Sequence, residues 1–264
     1  MRIDAVSVTA RSRRHFIRIA AKLGVVAAVG LGSTRTSHAA GWHSDPNFCD
    51  PVCLLRGTRL ETAVGDVAVE KLQAGDLVRT LEGLQPVRWI GQRSYVTDAY
   101  AKWPSSVDPV LIEASAIADG VPRRDLFLSP KHALFIDGYL IPVMFLINVE
   151  NIRQKAYHGQ AVDYFHVECE AHQIMFAEGL PVETFRLQDD YEAFSNFADH
   201  AHRFGDPVAP VEPFAPVLGY WSLREEALAL LRSIGATWFD LLDPIHVAYD
   251  RIAARAAAHS AGRP

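Results

Sequence analysis

The 264-residue chain has little cysteine, three residues in all. That is too few for a disulfide scaffold, and the odd number leaves one thiol over. No CxxC pair or Cys/His cluster at zinc spacing accompanies Cys49, Cys53 and Cys169, so no metal is expected. A Gly-rich phosphate loop is also missing, so no nucleotide, flavin or other cofactor is expected. Basic residues are scarce outside the first 39 positions. Residues 1–39 hold seven of the 26 Lys and Arg but one of the 31 Asp and Glu, leaving 19 basic against 30 acidic residues, about −11. An acidic body of this kind argues against nucleic-acid binding. The apolar run over residues 19–32, interrupted by Lys22, is short for a membrane span. What remains, 49% hydrophobic and 22% charged, is ordinary for a globular protein.

The N-terminal segment has its own pattern. Ser12-Arg13-Arg14-His15-Phe16-Ile17 resembles the twin-arginine export signal. The apolar run follows it, then the small residues Ser37-His38-Ala39-Ala40, which suit signal peptidase. An amphipathic helix or membrane anchor is the competing reading. Residues 1–39 are taken as a signal peptide, cleaved after Ala39 or Ala40, with no stable membrane span afterwards. The expected location is periplasmic or extracellular. Twin-arginine export usually carries folded protein, so the thiols would meet a reducing cytoplasm first and an oxidising compartment later.

A turn-rich flank covers residues 40–52. Residues 53–187 have the texture of a β protein, with short runs rich in branched residues separated by turn signals about every ten positions. Strands are expected at Val67-Ala68-Val69, Leu77-Val78-Arg79-Thr80 and Val87-Arg88-Trp89-Ile90. Others are expected at residues 110–112, 126–128, 133–135, 139–143 and 164–167. Turns are expected at Gly65-Asp66, Gly75-Asp76, Glu82-Gly83 and Asp137-Gly138. Residues 205–217, with Pro207, Pro210, Pro213 and Pro216, are read as a proline-rich linker. Residues 218–264 are read as helical. Ser222 and Glu225 form a capping-box pattern ahead of an apolar stripe, and a second helix is expected over residues 244–257.

Three motifs carry the chemistry. The first runs Cys53-Leu54-Leu55-Arg56-Gly57-Thr58-Arg59-Leu60, and after the Gly65-Asp66 turn continues as Val69-Glu70-Lys71-Leu72-Gln73-Ala74-Gly75-Asp76-Leu77-Val78. The second is Ser129-Pro130-Lys131-His132-Ala133-Leu134. The third leads from Val167-Glu168 through His172 to Phe176-Ala177-Glu178-Gly179-Leu180-Pro181-Val182. Together they resemble the opening, histidine-bearing and closing blocks of Hint domains (the family of inteins and hedgehog C-terminal domains), in their bacterial form. The resemblance implies a mainly β, flattened, horseshoe-like Hint fold, followed here by the C-terminal helical segment.

It also implies a reaction. A cysteine can attack the carbonyl of the residue before it and convert the peptide bond to a thioester, here at Val52–Cys53. The attack is intramolecular, but it needs a thiolate, a polarised or twisted amide and a proton for the leaving amine. By resemblance His132 is the proton donor, and Ser129 bonds the scissile carbonyl or holds His132. His172 matches the histidine that in inteins helps a terminal Asn cyclise. That Asn is absent, with Glu183 in its place, so full splicing is not expected; His172 is a candidate catalytic residue, with a structural, hydrogen-bonded ring as the alternative. His166 competes with it for a role. The spacing from Glu168 to His172 is one residue longer than in the intein block.

The expected function is therefore self-processing. The chain's own N-terminal flank is the substrate, and water or a small nucleophile resolves the thioester. Two other readings stay open. One is a degenerate Hint domain serving as a secreted binding or structural module. The other is a cysteine hydrolase that uses Cys53 and His132 on a separate substrate. Each residue also has a plain structural reading: Cys53 and Cys169 as buried small hydrophobes, Ser129 and His132 as turn residues. A Cys49–Cys53 disulfide would block the nucleophile.

Overall fold

Alternation of buried and exposed side chains sets the strands on the outer part of the molecule. Along Leu77–Thr80, for example, Leu77 and Arg79 face out while Val78 and Thr80 are buried. The computed structural model describes residues 52–96, 107–156, 161–186, 194–205, 212–219 and 243–261. The signal-like segment, the flank up to residue 51, Cys49 and the helix expected after Ser222 lie outside these residues.

Fourteen strands follow in chain order: β1 (Leu54–Leu55), β2 (Arg59–Thr62), β3 (Gly65–Ala68), β4 (Leu77–Thr80), β5 (Gly83–Pro86), β6 (Trp89–Val96), β7 (Val110–Ile112), β8 (Leu126–Leu128), β9 (Ala133–Ile136), β10 (Tyr139–Pro142), β11 (Ile152–Gln154), β12 (Ala161–Glu168), β13 (Ile174–Ala177) and β14 (Leu180–Glu183). One sheet has six strands in the order β11-β7-β8-β1-β12-β6. The other has eight, in the order β10-β9-β14-β13-β2-β4-β5, with β3 on β2. The protein is thus mainly β, as expected. The expected strand at Val87–Ile90 is displaced. Val87 and Arg88 form a connection, with Arg88 N–H donating to the Glu168 carbonyl at 2.7 Å, and the strand starts at Trp89.

Turn chemistry fixes the register. Asp137-Gly138 joins β9 to β10 as a two-residue hairpin, with φ of 50° and 88° at the two positions. That is the geometry in which a two-residue turn follows the strand twist. Glu178-Gly179 does the same between β13 and β14. There the Glu178 carboxylate accepts from Arg124 Nη2 at 2.6 Å and from the Arg59 N–H at 2.8 Å, which ties the tip to β2.

Two α-helices are found among the described residues, α1 (Phe197–Phe204) and α2 (Pro244–Ala261), besides short 3-10 turns at Val69–Lys71 and Val143–Leu146. Asp243 caps α2, its Oδ1 accepting the Ile245 N–H at 3.0 Å, and Pro244 takes the first helical position. Ala248, Ile252 and Ala256 recur at one-turn spacing and are buried. The helix runs four residues beyond its expected end. Helix α1 was not among the expected elements. It is held from outside itself, by Asn196, whose Oδ1 accepts the Gln92 N–H at 2.9 Å and whose Nδ2 donates to the Ile90 carbonyl at 2.8 Å.

The proline-rich stretch needs a correction. Over residues 212–218 it is not a free connection. Leu140 N–H donates to the Pro216 carbonyl and Leu218 N–H donates to the Leu140 carbonyl, each at 2.9 Å. Val217 so pairs parallel to Leu140 on the edge strand β10. Phe214, Ala215 and Val217 pack with Ala133, Phe135, Leu140 and Ile174. Alternate apolar residues and extended proline geometry suit an edge strand as well as a linker.

Candidate active site

Three neighbouring strands bring the expected residues together. β1 lies between β8 and β12, with Cys53 just before it. One step beyond the pair Leu54–Leu128, Cys53 faces Ser129. Ser129 N–H donates to the Cys53 carbonyl at 3.0 Å, and Cys53 N–H donates to Ser129 Oγ at 2.7 Å. The second bond falls on the nitrogen of the Val52–Cys53 peptide. The Ser129 hydroxyl therefore meets the leaving nitrogen, where the resemblance placed it on the carbonyl or on His132. The register, which turns the Cys53 N–H toward β8, is the reason.

Residues 129–132 form a tight turn, His132 N–H donating to the Ser129 carbonyl at 3.1 Å. Pro130 presets the backbone at the second turn position. His132 is fully buried, and its ring stacks on that of His166 with centroids 5.3 Å apart and planes 30° apart. Neither ring has a hydrogen-bond partner of ordinary geometry on either nitrogen. The backbone of Glu183 runs beside His132 and that of Thr184 beside His166, contacts too poorly aligned for hydrogen bonds that still favour the charged ring. Burial outweighs them. It lowers His132 to about 4, against the pull of Glu183, and sets His166 well below its ordinary value. Both rings are neutral near neutral pH.

Cys53 carries a free thiol with no solvent exposure. It belongs to an apolar cluster with Trp89, Val162, Tyr164, Phe185 and Phe194. Burial pushes the thiol well above its ordinary range, and Arg93 pulls weakly the other way. The sulfur is thus protonated at rest. Gly91, paired with His166, makes room for this cluster: a Cβ there would lie 2.7 Å from the Phe194 ring. Cys169 sits apart in the main core, its thiol raised to about 12 by burial and by Glu168. Val52, the acyl side of the bond, is half-buried.

His172 is built differently. Its Nδ1 accepts the Phe214 N–H at 2.8 Å, so Nε2 carries the proton in the neutral ring. Nε2 points at Glu183 Oε2, 3.6 Å away. Glu183 also accepts from the Ala133 N–H at 2.9 Å and from Arg186 Nε at 2.7 Å. Burial alone would raise this carboxyl, but His172, Arg186 and His132 together hold it down to about 2. The residue standing in for the terminal Asn is therefore a buried carboxylate anchored on β9. Arg186 and Phe214 had no signal in the sequence; Arg186 reaches Glu183 from three residues along the chain, while only the fold brings the Phe214 N–H to His172. Among the described residues no group of three or more His, Cys, Asp or Glu is arranged to hold a metal ion, and no helix is long and apolar enough to cross a membrane.

Comparison with known proteins gives one family match. The profile described as the Hint domain matches residues 52–189, more than half of the chain. No curated protein matches in sequence. Among solved structures, the bacterial intein-like domain from Clostridium thermocellum is similar at 13% identity over 51% of this chain and 99% of that one, with a TM-score of 0.38. A DnaB intein from Synechocystis is similar at 10% identity over 50% and 98%, with a TM-score of 0.33.

Proposed function

Because this chain belongs to the Hint-domain family, we propose that it processes itself, Cys53 converting the Val52–Cys53 peptide to a thioester that water or a small nucleophile then cleaves. The observation that carries this reading is the bond from the Cys53 N–H to Ser129 Oγ. It holds the atom that must leave. As that nitrogen pyramidalises, its lone pair turns toward the same hydroxyl, which has a proton of its own and can reverse the bond. His132, reached through the turn from Ser129, returns a proton to the amine. Full burial of Cys53 supports attack on its own neighbour over attack on a separate substrate. Glu183, committed to three partners on the protein, supports thioester cleavage without splicing.

The released piece is residues 40–52 once the signal is gone. Export by the twin-arginine route, to the periplasm or beyond, rests on Arg13-Arg14 ahead of the apolar run. Replacing both with Lys should leave precursor in the cytoplasm, and normal export of that variant would remove this part of the proposal.

Intact mass of purified protein, with and without dithiothreitol or hydroxylamine, tests the chemistry. A new N-terminus at Cys53 is expected, accelerated by either reagent. Cys53→Ala should abolish it, Ser129→Ala and His132→Ala should slow it by roughly 100- to 10,000-fold, and Cys169→Ala should leave it unchanged. A wild type that stays intact for days with a reduced thiol would replace this reading with that of a non-catalytic module.

A further inference from the structure

The self-processing reading leaves one proton unaccounted for. The Cys53 thiol is protonated at rest, and His132, its expected proton donor, is neutral. Some group must take the sulfur proton before the nitrogen can be given one.

The sheet register supplies a candidate. β1 pairs with β12 as Leu54–Phe165 and Leu55–Tyr164. One step further the same register sets Cys53 opposite His166. Directly opposed residues of an antiparallel pair present their side chains on one face, with Cβ atoms about 5 Å apart. The surrounding contacts agree on that face. Cys53 shares its cluster with Val162, Tyr164 and Phe185, and the Phe185 ring lies 5.0 Å from that of His166. His166 is 1% exposed, and neither of its ring nitrogens has a hydrogen-bond partner. A buried imidazole held only by a poorly aligned contact with the Thr184 backbone, at the strand position facing a buried thiol, is placed to accept its proton.

We propose that His166 is a further catalytic residue of this site, the base that removes the Cys53 thiol proton; the proposal rests on the self-processing reading. As the proton passes from Sγ to the His166 ring, sulfur adds to the Val52 carbonyl carbon. The carbon–sulfur bond forms and the carbon–nitrogen bond breaks. The stacked pair His166–His132 then gives the same proton to the Cys53 nitrogen. One proton moves from sulfur to nitrogen, and both rings end neutral. The pair receives this charge within reach of the Glu183 carboxylate, which favours it, while His172 opposes it. Ser129, Cys53 and His166 thus form one row across β8, β1 and β12, with a hydroxyl on the leaving nitrogen and a base on the sulfur.

The experiment uses the full chain with His166→Asn and, separately, His166→Gln, beside wild type. Cleavage at Cys53 in dithiothreitol is followed by intact mass from about pH 6 to about pH 10. At about pH 7 each variant should be roughly 100-fold slower or more. Its rate should then climb about tenfold per pH unit, as hydroxide replaces the missing base, while wild type levels off. A loss that is only structural would not steepen with pH. A folded variant within about threefold of wild type at about pH 7, or one with the wild-type pH slope, overturns the role of His166 and leaves the Cys53 chemistry standing. A wild type that never cleaves overturns both. If neither variant folds, nitrogen-15 histidine spectra of wild type and Cys53→Ala decide. The His166 ring resonances should shift most of any histidine on loss of the sulfur, and unmoved resonances overturn the proposal.

Discussion

Glu183 and the pair His132–His166 are buried in the same interior, and the fold treats them in opposite ways. Glu183 meets a backbone N–H, an arginine and a histidine, and is held ionised by them. The two imidazoles meet each other, with no hydrogen bond on any ring nitrogen. Leaving a buried polar group without a partner costs about 1–3 kcal/mol. The chain therefore carries a penalty at the histidines that it avoids at Glu183. Satisfied groups of the Glu183 kind hold elements together, here β14 to β9 and the segment after it. Unsatisfied ones are where a reaction finds a vacant donor or acceptor.

The sharpest way to break this contrast is to remove the satisfied anion. Glu183→Ala strips Arg186, His172 and the Ala133 N–H of their common acceptor. Loss of about 3–5 kcal/mol is expected, since one partner of a buried charged pair is left alone. Urea unfolding measures it. A loss under about 1 kcal/mol would mean that Glu183 is no better anchored than the histidines.

Acid offers a smaller test of both groups at once. Below its ordinary value of 6.5 an unfolded His132 binds a proton, while the folded ring resists until about 4. Stability from this group is complete above 6.5 and falls as the pH drops toward 4, by about 3 kcal/mol in all. Glu183 acts in the same direction over a lower window, its contribution present above 4.5 and lost as the pH falls toward 2. Unfolding free energy should thus decline from about pH 6.5 downward and more steeply below about 4.5. A flat profile between about pH 7 and about pH 4 would show that the folded rings take up protons freely, contrary to the contrast drawn here.

The gentlest probe is the strap. Phe214→Pro deletes the N–H that holds His172 Nδ1, together with the ring that packs on Phe135. About 2 kcal/mol of stability should go, with cleavage at Cys53 little changed. A large effect on cleavage would move His172 from the anchoring side of the comparison to the reactive side.

Several of these parts were legible before the fold was known. Asp137-Gly138 announced a hairpin, because a two-residue turn needs two left-handed positions that this dipeptide tolerates. The helix expected from Pro244 is present, and Asp243 caps it. Cys53, Ser129 and His132 stood out through motif spacing, and the structure brings Ser129 onto the Cys53 nitrogen and His132 into the adjoining turn. Residues 212–218, read as part of a linker, lie along an edge strand instead, and an apolar stretch holding prolines looks alike in either place. Helix α1 was not expected, although Phe197, Ala201 and Phe204 recur at helical spacing, because it is only eight residues long; Asn196 and the rings about His200 place it.

By itself the sequence determined that the domain is built of short strands and tight turns, where the terminal helix begins, and which cysteine opens the domain, since those follow from local backbone preference and from spacing along the chain. It could not say what faces the sulfur. His166 lies 113 positions from Cys53 in the sequence, and only the pairing of β1 with β12 makes them neighbours. The same is true of Glu183, whose meaning changed from a missing asparagine to a buried anion when the Ala133 N–H, 50 positions away, closed around it with His172 and the nearby Arg186. Contacts made across strands depend on register, and register is set by which faces of the whole sheet are buried, which no single stretch of chain contains.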